Sequence, residues 1–250
     1  MAARRRLDAE LVRRGLAASR SEATAAVVAG RVLVNGAPAD KPARLVAADE
    51  PLVVAGPPAR FVGRGGDKLD AALDQFGIAV GAQRWLDVGA STGGFSDCLL
   101  GRGAAAVVAL DVGHGQLHPK LRDDDRVLVL ERTNVRGATA ETIGGPVDGL
   151  VVDVSFISLR TIIPTLITLC QPGSPMVLLV KPQFEAGRVE VSRGRGVITD
   201  PAIHERVRRE IDAALRESGC AVRAWMDSPI LGGQGNRELL VHAVSPGGRR

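Results

Sequence analysis

Two spacings of apolar residues divide the chain. Near the start, Leu7, Leu11 and Val12 recur at helical spacing, and Gly15 offers a stop. A second helical face of Ala and Val then runs to Gly30, with Ser19 or Ser21 placed to cap it. "VLVNG" (32–36) predicts a short strand and an Asn-Gly turn, and "LVVA" (52–55) a closing strand. From residue 65 the rhythm changes. A helix is expected over about 67–77, with Leu69, Leu73 and Phe76 on one face. Apolar strands follow at about 84–88, 106–111, 126–131, 147–153 and 176–181, separated by helix-length segments, and two more at 221–226 and 238–244.

This alternation predicts an α/β chain in two parts: a small α+β domain at 1–58 and a doubly wound, Rossmann-like domain at 65–246. The larger part should hold a mostly parallel seven-stranded sheet with an antiparallel final strand, its ligands at the carboxyl ends of the strands. The Pro- and Gly-rich stretch "GPPARFVGRGG" (56–66) marks the boundary, read as a linker at 59–64.

Charge sharpens that division. Residues 1–60 hold ten Lys or Arg against six Asp or Glu, whereas residues 61–250 hold 22 of each, so the whole excess of +4 lies on the small part. A basic module joined to a neutral enzyme suits a nucleic-acid partner. Three distant cysteines, Cys98, Cys170 and Cys220, fit neither a disulfide framework nor a zinc site. No apolar run approaches the roughly 18 residues of a membrane span, and "MAARRRLDAE" is no signal peptide, so a cytoplasmic protein with no membrane partner is expected. Lysine is scarce: Lys41, Lys68, Lys120 and Lys181 stand beside 28 arginines. A retained lysine hints at a task that a guanidinium cannot perform.

The candidate cofactor turn is "RWLDVGASTGGFSD" (84–97). Ser91 stands where a dinucleotide fingerprint needs glycine, and Phe95-Ser96 where a phosphate loop needs Lys then Ser/Thr. Asp87, just before the turn, would repel phosphates that helix amides attract. S-adenosylmethionine carries an ammonium and a sulfonium instead, and it suits an acid beside the turn Gly89, Ala90, Ser91, Thr92, Gly93 and Gly94. Asp111, closing the next strand, can accept hydrogen bonds from the ribose hydroxyls.

The acceptor must be read from the strand ends. After strand four stands "DVSF" (153–156), without the prolines expected for methylation of base amines, and no cysteine sits at a strand end for carbon methylation. The ends offer Asp153 and Lys181 instead, on strands expected to be neighbours. An antiparallel final strand would bring Glu238 to the same edge. Lys68, in the first turn of a helix where a cation opposes the dipole, needs another contact to justify it. His114 and His118 have helical metal spacing, but Pro119 argues for a loop and no third ligand is evident, so no metal is expected.

Two resemblances extend this reading. Residues 6–36, with Arg-Leu-Asp at 6–8, Gly15, Ser19-Arg20 and "GRVLVNG" at 30–36, resemble an S4 RNA-binding domain. "DKL" (67–69), "LDVGASTGGF" (86–95), "DVGHGQL" (111–117), "LERTN" (130–134), "DVSFISL" (153–159), "VKPQFE" (180–185) and "GNRE" (235–238) resemble ribose 2′-O-methyltransferases with a Lys-Asp-Lys-Glu tetrad. With the S4 segment, the chain is similar nearly end to end to the TlyA family, named as haemolysins but acting as rRNA cytidine 2′-O-methyltransferases. The resemblance implies a catalytic tetrad of Lys68, Asp153, Lys181 and Glu238, with Lys181 as candidate base. It implies S-adenosylmethionine contacts from residues 87–94, Asp111 and Asn134. It also implies contacts to 16S or 23S rRNA, or to ribosomal subunits, from Arg6, Arg20, Lys41, Arg132 and Arg136. His114, where the family commonly has an aromatic residue, and the arginine-rich loop 186–196 depart from the pattern. Two rival readings are a membrane-active lysin and an RNA-binding factor without catalysis.

Overall fold

A computed structural model describes residues 4–247 other than 18, 29, 57–59, 195, 233 and 234. The chain divides into two compact units, Met1–Ala59 and Arg60–Arg250.

In the first unit, β1 (Arg5–Arg6) leads into α1 (Leu7–Arg13), followed by α2 (Arg20–Val28). Gly15, at φ +67°, ends the first helical stretch, and Ser19 Oγ accepts the Glu22 N–H at 3.1 Å to cap the second. β2 (Val32–Val34) turns through Asn35 and Gly36, both at positive φ, into β3 (Ala37–Pro38). β4 (Leu45–Val46) pairs with β1 and β5 (Leu52–Val54) with β2, both antiparallel. Leu7, Leu11, Ala23, Val27, Val32 and Val46 form the core.

The second unit begins with α3 (Gly65–Phe76), β6 (Arg84–Val88), α4 (Gly94–Gly101), β7 (Ala106–Leu110), α5 (Pro119–Arg122) and β8 (Val127–Leu130). It continues through β9 (Gly149–Val152), α6 (Leu159–Thr168), β10 (Pro175–Val180), α7 (Pro182–Glu185), α8 (Arg188–Arg193), α9 (Pro201–Glu217), β11 (Ala221–Asp227) and β12 (Leu239–Val244). The seven strands lie in the order β11-β12-β10-β9-β6-β7-β8. β12 alone runs against its neighbours β10 and β11, which is the antiparallel finish the sequence predicts.

Both faces of this sheet are buried, because side chains alternate between them. Leu86, Val88, Leu150, Val152, Leu178 and Val180 face a core shared with α6 and α9. Trp85, Val151, Val177 and Leu179 face the core under α3 and α4. Gly149 lies against the Trp85 ring, where a Cβ would collide.

Two expectations need correction. Residues 61–64, read as linker, belong to the second unit: the Val62 N–H donates to Asp97 Oδ2 at 2.9 Å, and a Cβ on Gly94 would come 2.9 Å from Gly63 O. The stretch 186–196, read as a loop, contains α8. The Glu185 carboxylate anchors it by accepting from Ser158 Oγ at 2.5 Å and the Leu159 N–H at 2.7 Å. Among the described residues no helix is long and apolar enough to cross a membrane.

Candidate active site

The turn after β6 is shaped by backbone conformation. Gly89 and Gly93 have φ +86° and +95°, and Ser91 φ +49°. A Cβ on Gly89 would run into the Asp153 carbonyl, and one on Gly93 into Leu121, so the turn packs against β9's exit on one side and α5 on the other. Beside it lies a crevice of about 590 Å³ whose walls include Gly89, Ser91, Asp111, Asn134, Arg136 and Asp153. A smaller pocket of about 180 Å³, lined by Ala90, Thr92, Gly94, Gly65 and Lys181, shares Gly89, Ser91 and Asp153 with it.

Asp111 holds the crevice wall: Oδ2 accepts the Ser91 N–H at 2.8 Å and Oδ1 the Gly113 N–H at 2.7 Å. Each carboxylate oxygen keeps a further lone pair for a ligand. Asn134 Oδ1 caps the short 3-10 turn Val135–Gly137 by accepting the Arg136 N–H at 3.0 Å, which leaves its amide nitrogen for the crevice. Arg132 and Arg136 are exposed on the same segment.

Asp87 sits elsewhere than the sequence suggested. It is fully buried beneath the turn, off the crevice wall, and its Oδ2 accepts from Ser96 N–H at 2.9 Å and Ser96 Oγ at 2.7 Å. Its Oδ1 is buried without a hydrogen-bond partner. Burial pushes its carboxyl up to about 7, helped by the nearby charges of Asp153 and Asp111 and opposed by the Ser96 bonds. Three carboxylates gathered at one turn, with a backbone cradle that a Cβ would fill, fit a cationic ligand with a sulfonium and an ammonium.

The four tetrad residues meet at the carboxyl edge of the sheet. Lys181 follows β10, Asp153 follows β9, and Glu238 precedes β12, where Val180 pairs with Leu239. Lys181 Nζ lies 2.5 Å from Asp153 Oδ1 and donates to Ser155 Oγ at 3.1 Å. The Asp153 contact is too oblique for a directed hydrogen bond, so it is an ion pair only. Lys68 Nζ, in the first turn of α3, donates to Glu238 Oε2 at 2.5 Å, and both side chains are buried. This is the contact that Lys68's position against the helix dipole required. Lys181 and Glu238 line a cavity of about 730 Å³ on the side away from the glycine turn.

Three residues at this cavity escaped the sequence reading: Ser155, Phe156 and Phe184. Phe156 is 91% exposed at φ +65°, a backbone state rare for a bulky side chain, and its ring lies 5.0 Å from that of Phe184. The signal was available, since the chain holds only 3% aromatics and both sit in motif stretches. The two histidines are surface residues: His114 Nδ1 lies 2.8 Å from Glu131, and His118 Nδ1 accepts the Lys120 N–H.

In the first unit, Asp8 gathers the predicted RNA contacts. Arg6 donates to it at 2.8 and 3.1 Å and Arg20 at 3.0 Å, while both guanidinium groups stay about half exposed or more. The Asp8 N–H donates to Pro42 O at 3.0 Å, which ties the segment carrying exposed Lys41 to the start of α1. Arg6 and Arg20 hold the Asp8 carboxyl at about 2.

A family model of FtsJ-like methyltransferases matches residues 61–244, and one of the S4 domain matches residues 5–51. The 16S/23S rRNA (cytidine-2′-O)-methyltransferase TlyA of Mycobacterium tuberculosis is 50% identical over 96% of this chain and 90% of its own. Hemolysin A of Brachyspira hyodysenteriae is 39% identical over 96% of this chain and 99% of its own. A solved structure of a protein named as a hemolysin from Streptococcus thermophilus superposes with TM-score 0.78 at 40% identity, over 98% of this chain and 90% of that one.

Proposed function

The chain belongs to the FtsJ-like methyltransferase family, and from that premise we propose that it methylates the 2′-hydroxyl of a cytidine ribose in ribosomal RNA, using S-adenosylmethionine. The observation that carries this reading is the meeting of two lysine–carboxylate pairs, Lys181–Asp153 and Lys68–Glu238, at the carboxyl edge of the sheet, beside a crevice that Asp153 also lines and that suits a cationic ligand.

The cofactor supplies an already activated methyl carbon. The protein's work is to align the acceptor oxygen and manage its proton. Asp111 and the Asn134 amide hold the sugar and amide side of the crevice, while Gly89 lets the backbone approach closely. On the other side, exposed Phe156 with Phe184 offers a stacking surface for the base of an unpaired nucleotide. That places the ribose hydroxyl toward Lys181 Nζ, which takes up its proton as attack proceeds. Lys181 must lose a proton to solvent first, while the ion pair with Asp153 Oδ1 at 2.5 Å holds its Nζ in position. Lys68 and Glu238 satisfy each other and keep that edge of the site dry and fixed. Arg6, Arg20 and Lys41 on the S4 domain, with Arg132 and Arg136 by the crevice, contact phosphates. Such contacts position RNA rather than read its sequence. Working on ribosomal RNA, with naked rRNA or a ribosomal subunit as partner, the protein acts in the cytoplasm.

The test is transfer of a labelled methyl group to naked rRNA and to each purified subunit, followed by nuclease mapping. Label on a cytidine ribose, lost when that residue is 2′-deoxy, is the expected result. Label on a base, or none, would overturn the proposal.

A further inference from the structure

We propose that the open flank of the methyltransferase sheet, between α9 and edge strand β11, is a second RNA-backbone track leading to the site. The inference rests on the RNA reading above but concerns a face far from the S4 unit in sequence. A groove of about 630 Å³ lies there, whose walls hold four arginines, Arg208, Arg209, Arg216 and Arg223, against two acids, Glu205 and Asp212, together with Trp225. Arg216 is committed, 2.5 Å from Asp212. Among the described residues Arg208, Arg209 and Arg223 form no ion pair, whereas Arg206, two positions before Arg208, pairs with Glu190 and Glu210. α9 therefore neutralises Arg206 and Arg216 and leaves Arg208 and Arg209 without an acid partner. In a unit whose total charges balance, such a local excess is a place for an anionic partner.

The aromatic residue fits the same purpose. The chain has two tryptophans, and Trp85 is fully buried. Trp225 is only half-buried on the edge strand. Its Nε1 donates to Asp212 at 3.3 Å, and the Arg208 guanidinium sits 5.5 Å from its ring centroid. A stacked guanidinium loses less freedom when it meets a phosphate than a free one does. Topology gives the groove a direction. α9 starts just after Ile198, whose N–H donates to buried Asn236 at 2.9 Å, and β11 ends at Asp227, next to Ser228, whose N–H donates to Glu238 O at 2.9 Å. The flank thus rises to the rim that carries Glu238.

The test compares the full-length protein with R208Q/R209Q/R223Q and with the charge-retaining R208K/R209K/R223K. Binding of an rRNA fragment is measured from 50 to 200 mM salt, independently of methyl transfer. The glutamine variant should lose about two units of salt slope, at about 0.7–0.9 per phosphate contact, and raise the KM for RNA. The lysine variant should keep most of the slope, and cofactor affinity and melting temperature should match wild type in both. An unchanged slope in the glutamine variant would overturn the track. So would a wild-type dimer that the variant dissociates without change in RNA affinity, because the groove would then join two copies of this chain. Binding without methyl transfer by wild type would retire the proposed function and still decide the track through the slope.

Discussion

The two units weigh the uses of buried charge differently. In the S4 unit the apolar core is small, and two buried carboxylates, Asp8 and Glu10, are each held by two arginines that reach solvent. Arg14 goes further and donates to the carbonyls of Glu50, Ala47 and Ala48, tying α1 to the loop before β5. Cations there serve the fold and keep their outer faces open to solvent, where the proposed RNA contacts would form. In the methyltransferase unit two apolar cores hold the sheet; Asp70 is braced there by Arg60 and Arg102, but Lys68, Glu238 and Asp87 lie buried by the carboxyl edge of the sheet, where the proposed chemistry takes place. Ion pairs can brace a domain too small for a large core, whereas a large core can carry an acid such as Asp87 at a cost in stability.

The largest effect expected from this contrast is at Lys181. If the site edge works by chemistry rather than by charge balance, Lys181→Arg should fail almost as badly as Lys181→Ala. A guanidinium keeps its proton at any accessible pH, and its planar fork needs more room. Single-turnover methyl transfer, with RNA and cofactor saturating, should fall by about 10²–10⁴-fold in both variants. The wild-type rate should rise with pH, and cofactor affinity should hardly move. A near-wild-type rate for Lys181→Arg would make the residue a positioning charge.

Next in size is Asp87. Its folded carboxyl lies at about 7, above the ordinary carboxylate value. Between about pH 4 and pH 7 the folded state therefore holds a proton that the unfolded state has lost. Stability from this group falls as pH rises through that window, by at most about 1.4 kcal/mol per unit. Asp87→Asn should flatten this slope in thermal melts of the ligand-free protein. A cationic cofactor prefers the ionised acid, so calorimetric affinity should drop below pH 7 by up to about tenfold per unit. The asparagine variant should lose that dependence. Wild-type affinity independent of pH would separate Asp87 from the cofactor.

Most of the sheet was legible in advance because its strands are continuous apolar runs, and the strand ends carried the tetrad with them. Less visible was whatever depended on distant partners. The β1–β4 pair is two residues long on each side and shows no periodicity. Val147, expected to open a strand, makes only an isolated bridge to Cys170. Gly65 and Gly66 read as breakers, yet they start α3, because Gly66 packs on the Phe61 ring with no space for a Cβ. At the site, Asp87's position before the turn was evident. That its carboxylate faces Ser96 rather than the crevice depends on which sheet face residue 87 occupies, and burial on both faces hides that parity.

A smaller effect should appear in acid. Asp8 and Glu10 are held at about 2 by their arginines, below the usual carboxylate range. Their contribution is present above about pH 4 and is lost as pH falls through about 2. Hydrogen exchange of the full chain should thus show residues 5–54 opening between pH 4 and 2, the reverse of the Asp87 trend. Asp8→Asn should bring that opening to higher pH. A first unit as protected at pH 2 as at pH 5 would mean that its apolar core suffices.

The smallest effect separates the two uses of arginine within the S4 unit. Arg6 and Arg20 share one acid, so removing either leaves Asp8 partnered by the other. Arg6→Gln and Arg20→Gln should each change the melting temperature little, because exposed ion pairs contribute about 0–1 kcal/mol. Each should still lower the salt slope of rRNA binding by about 0.7–0.9, one phosphate contact apiece. The double variant strands Asp8 without an arginine, and its stability loss should exceed the sum of the singles while its slope losses simply add. Coupled stability with additive slopes would show that the shared acid braces the fold and the outward faces of the two arginines meet the RNA independently. Single variants that keep the full slope would assign Arg6 and Arg20 to the fold alone and leave RNA contact in this unit to Lys41 and its neighbours.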